Sequence, residues 1–385
     1  MLRTPPVRLA DERWPFIDVL RGVSILLVIL LHVQLRIPLE HTPLFEAAPT
    51  ALWRLLCRSG NEGVRMFFVI SGFLITTNGL RRWGRLEAID ARRFYQLRFA
   101  RIVPTLAALL VVLSVLHRAG AEGYVIDPNR ASLGRAVLAA ATFHINWLEA
   151  KRDFYLPGCW DVLWSLSIEE VFYLLFPLGC WAFRWRWLGV ALLVSLVIVG
   201  PCLRWALVAE RMWQSKGYLC CMDAIALGCL TALVSHGRVL SRRRVHTLLG
   251  VGGVLALATL AYGRSDALGF VGDRRLHLSV LSFATAALLV AGTRVKMAAA
   301  AQVWLRPLLA CGRRSYEIYL THAFVVLGAV AVYRRFGSPA GLESAVVGAT
   351  LVASWALGAL VERHLSAPAN RWLRLRLTGA SEQFR

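Results

Sequence analysis

The stretch FIDVLRGVSILLVILLHVQL, residues 16–35, decides the fold. It is apolar almost without a break. At about 1.5 Å of rise per residue, a helix of that length reaches roughly 30 Å, the thickness of a bilayer's hydrocarbon layer. It is longer than the apolar core of a signal peptide, and no small-x-small cleavage pattern follows, so it reads as an uncleaved membrane span. Comparable apolar runs lie near 63–80, 102–117, 160–183, 188–203, 218–235, 246–262, 277–292, 314–333 and 342–361. The expected fold is all-α: a polytopic integral membrane bundle of about ten transmembrane helices in a single domain, residues 1–385.

Composition agrees. The chain is 57% hydrophobic and only 17% charged, with a mean hydropathy of +0.55. It also carries a formal charge of +21, from 44 Lys+Arg against 23 Asp+Glu. A soluble nucleic-acid binder would account for the charge but not for the hydropathy. A membrane protein with basic loops accounts for both. Lys151, Lys216 and Lys296 are the only lysines. The charge is therefore mostly guanidinium, which stays ionised and grips phosphate with two parallel bonds. The eight cysteines form no CxxC pair and no cysteine–histidine cluster of zinc spacing, so they read as small packing residues and no metal is expected.

Basic residues set orientation. Segment 81–101 holds Arg81, Arg82, Arg85, Arg92, Arg93, Arg98 and Arg101; a second basic loop occupies 236–245, and further arginines follow Val361. These segments are expected on the cytoplasmic side, with short cytoplasmic tails at about 1–14 and 362–385. Both termini on one side require an even number of crossings. Residues 132–149, SLGRAVLAAATFHINWLE, would spoil that parity as a full span and carry Arg135, His144, Asn146 and Glu149. They read as a re-entrant or surface helix, which membrane depth tolerates only beside protein or a water-filled cavity. The outer loops, 36–62, 118–131, 204–217 and 263–276, show no carbohydrate-binding motif.

An ionisable residue inside a span is a functional-site candidate because its burial is costly unless it is paired or hydrated. The first span offers Asp18, Arg21 and His32. Arg21 and His32, eleven positions apart, share a helix face and stand about 16 Å apart along the axis. Asp18 is one turn from Arg21 and can pair with it. One reading is an interfacial anchor with His32 snorkelling to the far surface. The other is a path across the membrane, with a guanidinium holding an anion and an imidazole acting near the other end.

The run RGVSILLVILLH resembles the first helix of the membrane-bound acyltransferase-3 family, and GVRMFFVISGFLIT its second. RRFYQLRFARIVP, WSLSIEEVFYLLFP, SYEIYLTH and ERHLSAPANRW are similar to its later motifs, in order, from about residue 14 to 373. The resemblance implies an O-acyltransferase, usually an O-acetyltransferase. It implies transfer from cytoplasmic acetyl-CoA (or another acyl-CoA) to a hydroxyl of a cell-envelope or exported glycan. It also implies a bacterial inner (cell) membrane location. The expected partners are acyl-CoA, the glycan acceptor and the bilayer, without nucleic acid.

Carried onto this chain, Arg21 and His32 are the essential pair and Glu169 the acidic residue of WSLSIEE. His32 suits the base that takes the acceptor proton, and Glu169, in the outer half of its span, could orient it. Arg21, Arg98 and Arg101 are the expected contacts for the donor's phosphates. Asp18, Trp164, Tyr173 and His322 are the expected substrate contacts. Ser71, in ISGFL, could be a nucleophile, but the small residues there more simply let helices approach closely.

Two departures stand out. Arg65 replaces an acidic or small residue, and Cys221 stands where relatives often carry arginine. No soluble SGNH-type hydrolase domain is expected after the membrane part. Alternatives are acylation of a small molecule or glycolipid, or a transporter without bond-forming chemistry. A transporter should show paired inverted repeats, and none is evident.

Overall fold

Helix α1 (Pro15–Gln34) starts at a proline, tolerated in the first turn because the N–H it lacks has no partner there. The computed structural model describes residues 14–42, 48–263, 272–339 and 341–379. The expected N-terminal tail and parts of the outer loops at 36–62 and 263–276 lie outside the described residues. Helix α2 (Gly60–Trp83) ends at Gly84, whose φ of 76° suits a residue without Cβ. Helix α3 (Ala91–Arg118) is capped by Asp90, whose carboxylate accepts the Arg93 N–H at 3.0 Å. Then come α4 (Leu163–Trp181), α5 (Arg186–Ala206), α6 (Tyr218–Ser235), α7 (Arg242–Tyr262), α8 (His277–Gly292), α9 (Ser315–Arg335) and α10 (Glu343–Val361).

Among the described residues, nine helices are long and apolar enough to cross a membrane; α8, with 16 residues, is a shorter apolar helix. The polytopic helical bundle expected from the sequence is what forms. Helices α2 and α6 make its centre and bury most of their residues, whereas α5 and α10 bury few. The rim is apolar, with Val111, Val115, Leu178, Ile198, Leu257 and Val352 exposed. In a soluble protein such a surface would be untenable; against lipid it is the matching solvent.

The centre is tight. A Cβ on Gly72 would stand 1.9 Å from the Ile225 carbonyl oxygen, and one on Gly228 2.1 Å from that of Val69. Backbone meets backbone here, the use expected of the ISGFL stretch. Nearby, the Asp223 carboxylate lies between the buried guanidiniums of Arg65 and Arg204, with Arg204 at 2.9 Å. Arg65 also donates to Ser282 at 2.9 Å. The charge at position 65 is thus absorbed by a buried ion-pair knot.

Three boundaries differ from expectation. Helix α3 begins eleven positions before the apolar run at 102–117, so Arg92, Arg93, Arg98 and Arg101 stand on a helix rather than in a loop. Helix α10 continues through a π-turn at Glu362–Ser366 into a helix at Ala367–Thr378 that packs on α3, so the expected tail is built structure at least to Thr378. Residues 132–149, expected as one re-entrant or surface helix, are not one helix. They divide into Leu133–Ala141 and Ile145–Arg152, broken where Phe143 takes a φ of 58°.

Candidate active site

Helix α1 places its polar residues at two levels, and the surrounding helices supply a partner set to each. At the end of the bundle where the arginine-rich segment begins, a cavity of roughly 550 Å³ is lined by Asp18, Arg21, Arg81, Arg313, Arg314 and Glu362, among others. Arg21 and Asp18 are 4.0 Å apart. Arg314 pairs with Glu362 at 2.7 Å, and the Arg81 guanidinium lies 4.1 Å above the Trp14 ring. Four arginines against two carboxylates leave the cavity positive, and its size falls in the range of small-molecule sites. Such a donor set fits a phosphate-bearing ligand.

Arg98 and Arg101 are engaged elsewhere. Arg98 pairs with buried Glu170 at 2.6 Å and stacks 3.6 Å over the Tyr173 ring. Arg101 pairs with buried Glu317 at 2.9 Å and with Ser366 at 3.2 Å. The structure thus turns both side chains into the bundle, where acidic partners already hold them. The arginines that line the cavity with Arg21 are Arg81, Arg313 and Arg314. The two consecutive arginines of CGRRSYEIYL, just before α9, are a sequence signal that was not read.

Glu169 sits between the levels. Ser71 and Tyr173 each donate to its Oε1 at 2.5 Å, and its charge also acts on Arg21. The pairing with His32 expected for it is not what the structure brings together. The reason is depth. Ser165, one helical turn before Glu169, is the α4 residue that bonds the Tyr319 hydroxyl, at 2.6 Å, beside the histidine level. Glu169 therefore lies about 6 Å further in. Ser71 serves Glu169 as a hydroxyl donor.

At the far end of α1, His32 meets His322 of α9, with ring centroids 5.0 Å apart and edges facing at 68°. His322 is fully buried, and its Nδ1 lies 2.7 Å from the Tyr319 carbonyl oxygen. Around the pair stand Arg36, which donates to the His32 carbonyl at 2.8 Å, and Lys216, whose charge also reaches His32. Lys216 is held by Glu149 at 2.5 Å and by Asp161, and its ammonium faces the Tyr155 and Trp164 rings. Glu149 comes from the Ile145–Arg152 helix; burial and the nearby Asp161 push its carboxyl well above the usual carboxylate range, against the pull of Lys216. Trp164 thus stands at the histidine level, whereas Tyr173 lies with Glu169 and Asp18 lines the cavity. That Lys216, Asp161 and Glu149 form one cluster was not legible in the sequence, because they lie in three separate short helices.

No group of three or more His, Cys, Asp or Glu side chains among the described residues is arranged to hold a metal ion. What the site offers is a positive cavity at one end, an imidazole pair at the other, and a ladder of hydroxyls, carboxylates and guanidiniums between them.

Comparison with known proteins places the chain in a family. Residues 14–359 match the model of a family described as an acyltransferase domain. The chain is 26% identical over 347 residues to the O-acetyltransferase OatA of Staphylococcus aureus, covering 83% of this chain and 53% of that protein. It is 28% identical over 193 residues to the peptidoglycan O-acetyltransferase OatA of Listeria monocytogenes, covering 48% of this chain and 27% of that one. A putative peptidoglycan O-acetyltransferase of Bacillus subtilis, YrhL, is 27% identical over 351 residues, 84% of this chain and 50% of its own. The chain spans about half the length of the curated relatives it matches over most of its own length. No solved structure matches.

Proposed function

We propose, on the premise that this chain belongs to the acyltransferase-3 family of membrane acyltransferases, that it moves an acetyl group from acyl-CoA to a hydroxyl of a cell-envelope glycan. The acyl-transferring identity comes with the family; the donor, the acceptor and the residue roles are our reading. Relatives named for peptidoglycan make that polymer the favoured acceptor. The arginine-rich end faces the cytoplasm by the positive-inside rule. The donor's phosphates bind there against Arg21, Arg81, Arg313 and Arg314, and its extended thioester arm follows α1 for the roughly 16 Å to His32.

At the other end His32 removes the proton from the acceptor hydroxyl. The oxygen attacks the thioester carbonyl, the C–S bond breaks, and the CoA thiolate leaves and takes up a proton. Arg36 and Lys216 supply positive charge near the developing oxyanion, the type of stabilisation that dominates acyl transfer. Trp164 offers an aromatic face to a sugar ring.

The observation that carries this reading is the placement of a phosphate-fitting cavity and the His32 imidazole at opposite ends of one helix, on one face. Membrane vesicles containing the protein, given radiolabelled acetyl-CoA on the cytoplasmic face, test it. Label should enter the glycan, and His32→Ala should lower the rate about 10²–10⁴-fold, the usual worth of a general base. Undiminished transfer by the variant would remove His32 from the chemistry.

A further inference from the structure

We infer that His322 is the positioning residue for His32, a neutral imidazole standing where a hydrolase triad has its carboxylate. The inference rests on the proposed role of His32 as base. The hydrogen-bond geometry fixes the chemistry. A backbone carbonyl can only accept, so the 2.7 Å contact with the Tyr319 oxygen requires the proton on Nδ1 of His322. In the neutral ring the lone pair is then on Nε2. That nitrogen is buried and has no partner, and Nδ1 of His32, in the neighbouring ring, is likewise buried without a partner.

Two orphaned ring nitrogens on rings in T-shaped contact, one an acceptor of fixed identity, are a costly arrangement at rest, because a buried polar atom without a bond loses the solvation that it had in water. They become complementary once His32 takes a proton. His32 then carries N–H on both nitrogens, and its Nδ1–H needs the acceptor that His322 Nε2 presents. Catalytic hydrogen bonds often close only in the reacting complex, and the two ring centroids already lie 5.0 Å apart.

Once closed, that hydrogen bond would also hold the His32 tautomer with Nδ1–H and leave Nε2 as the base, the work a carboxylate does in triad enzymes. Among the described residues no carboxylate bonds either ring. Asp161 and Glu149, the acidic groups at this level, are both occupied by Lys216. Tyr319 is fixed in turn by Ser165 and by donation to the Val162 carbonyl at 3.0 Å. The chain from Val162 through Tyr319 and His322 to His32 is therefore anchored on α4.

Steady-state transfer by the full chain in vesicles tests this with five variants. His322→Ala should lower kcat about 100-fold while leaving KM for acetyl-CoA and for the glycan within twofold. His322→Gln, which returns an acceptor oxygen near the Nε2 position, should recover at least tenfold of that loss. His322→Leu, which fills the space without an acceptor, should recover nothing. In the His32→Ala background, His322→Ala should have no further effect, since a residue acting through another loses its influence when that one is gone. A raised acceptor KM with kcat intact would make His322 a substrate contact and overturn the inference, as would equal recovery by leucine and glutamine. If His32→Ala itself remains active, it is the base assignment that fails; if it is inactive and His322→Ala is not, only the present inference does.

Discussion

At the residue scale, charges inside this bundle are settled by local pairing, and the pairings were not legible from spacing alone. Asp223 shows the energetics. Its carboxylate serves two guanidiniums, Arg65 and Arg204, all three buried. Asp223→Asn would leave two buried cations without a counter-charge, a change that costs about 3–5 kcal/mol where one partner of a buried pair is removed. We expect a markedly lower unfolding midpoint in detergent, read by thermal size-exclusion, with transfer per folded molecule nearly unchanged because the knot lies outside the α1 path. Arg21 and His32 were legible as a pair, because period and depth follow from helix geometry. Their partners were not. His322 lies hundreds of positions away, and nothing in the order of residues says that α9 brings its imidazole to α1. Glu169 was recognised as polar and intramembrane, yet its contacts with Ser71 and Tyr173 depend on which face of α2 meets α4.

At the element scale, hydropathy locates helices by what lipid sees and misses what protein covers. The basic start of α3 fell outside the apolar run, but Asp90 caps it, and Arg98 and Arg101 are neutralised by Glu170 and Glu317. Removing the cap with Asp90→Ala should cost about 1 kcal/mol, visible as faster amide exchange confined to the first turns of α3. The α2–α6 crossing is the stricter element. Because Gly72 and Gly228 meet opposing backbone rather than movable side-chain tips, Gly72→Val should separate the two central helices. Loss of folded protein in membranes is the expected outcome; normal yield and activity would show that the close approach is not needed. The ISGFL stretch did announce this contact, since small residues at helix interfaces have few other uses in lipid.

At the scale of the whole molecule, the positive charge divides into arginines that orient the chain, arginines that lock helices together, and arginines that line the cavity. Composition could not separate these, because only the fold decides which guanidiniums meet carboxylates inside the bundle. Arg313 isolates the third group: it is exposed, and it lines the cavity with Arg21, Arg81 and Arg314. Arg313→Gln should therefore raise KM for acetyl-CoA about tenfold, equivalent to roughly 1.4 kcal/mol, with kcat retained. The effect should shrink at high salt, because ions screen an exposed contact. Initial rates in vesicles at two ionic strengths measure both quantities. An unchanged KM would move the donor's phosphates away from this cavity and back toward the basic face of α3. The orientation that puts the cavity on the cytoplasmic side is checked separately. With the helix Ile145–Arg152 at the histidine end, a cysteine at Lys151 should react with a membrane-impermeant maleimide from outside the cell. Labelling only after the membrane is opened would invert the bundle, leaving the four arginines facing away from the acyl-CoA pool and the donor assignment without support.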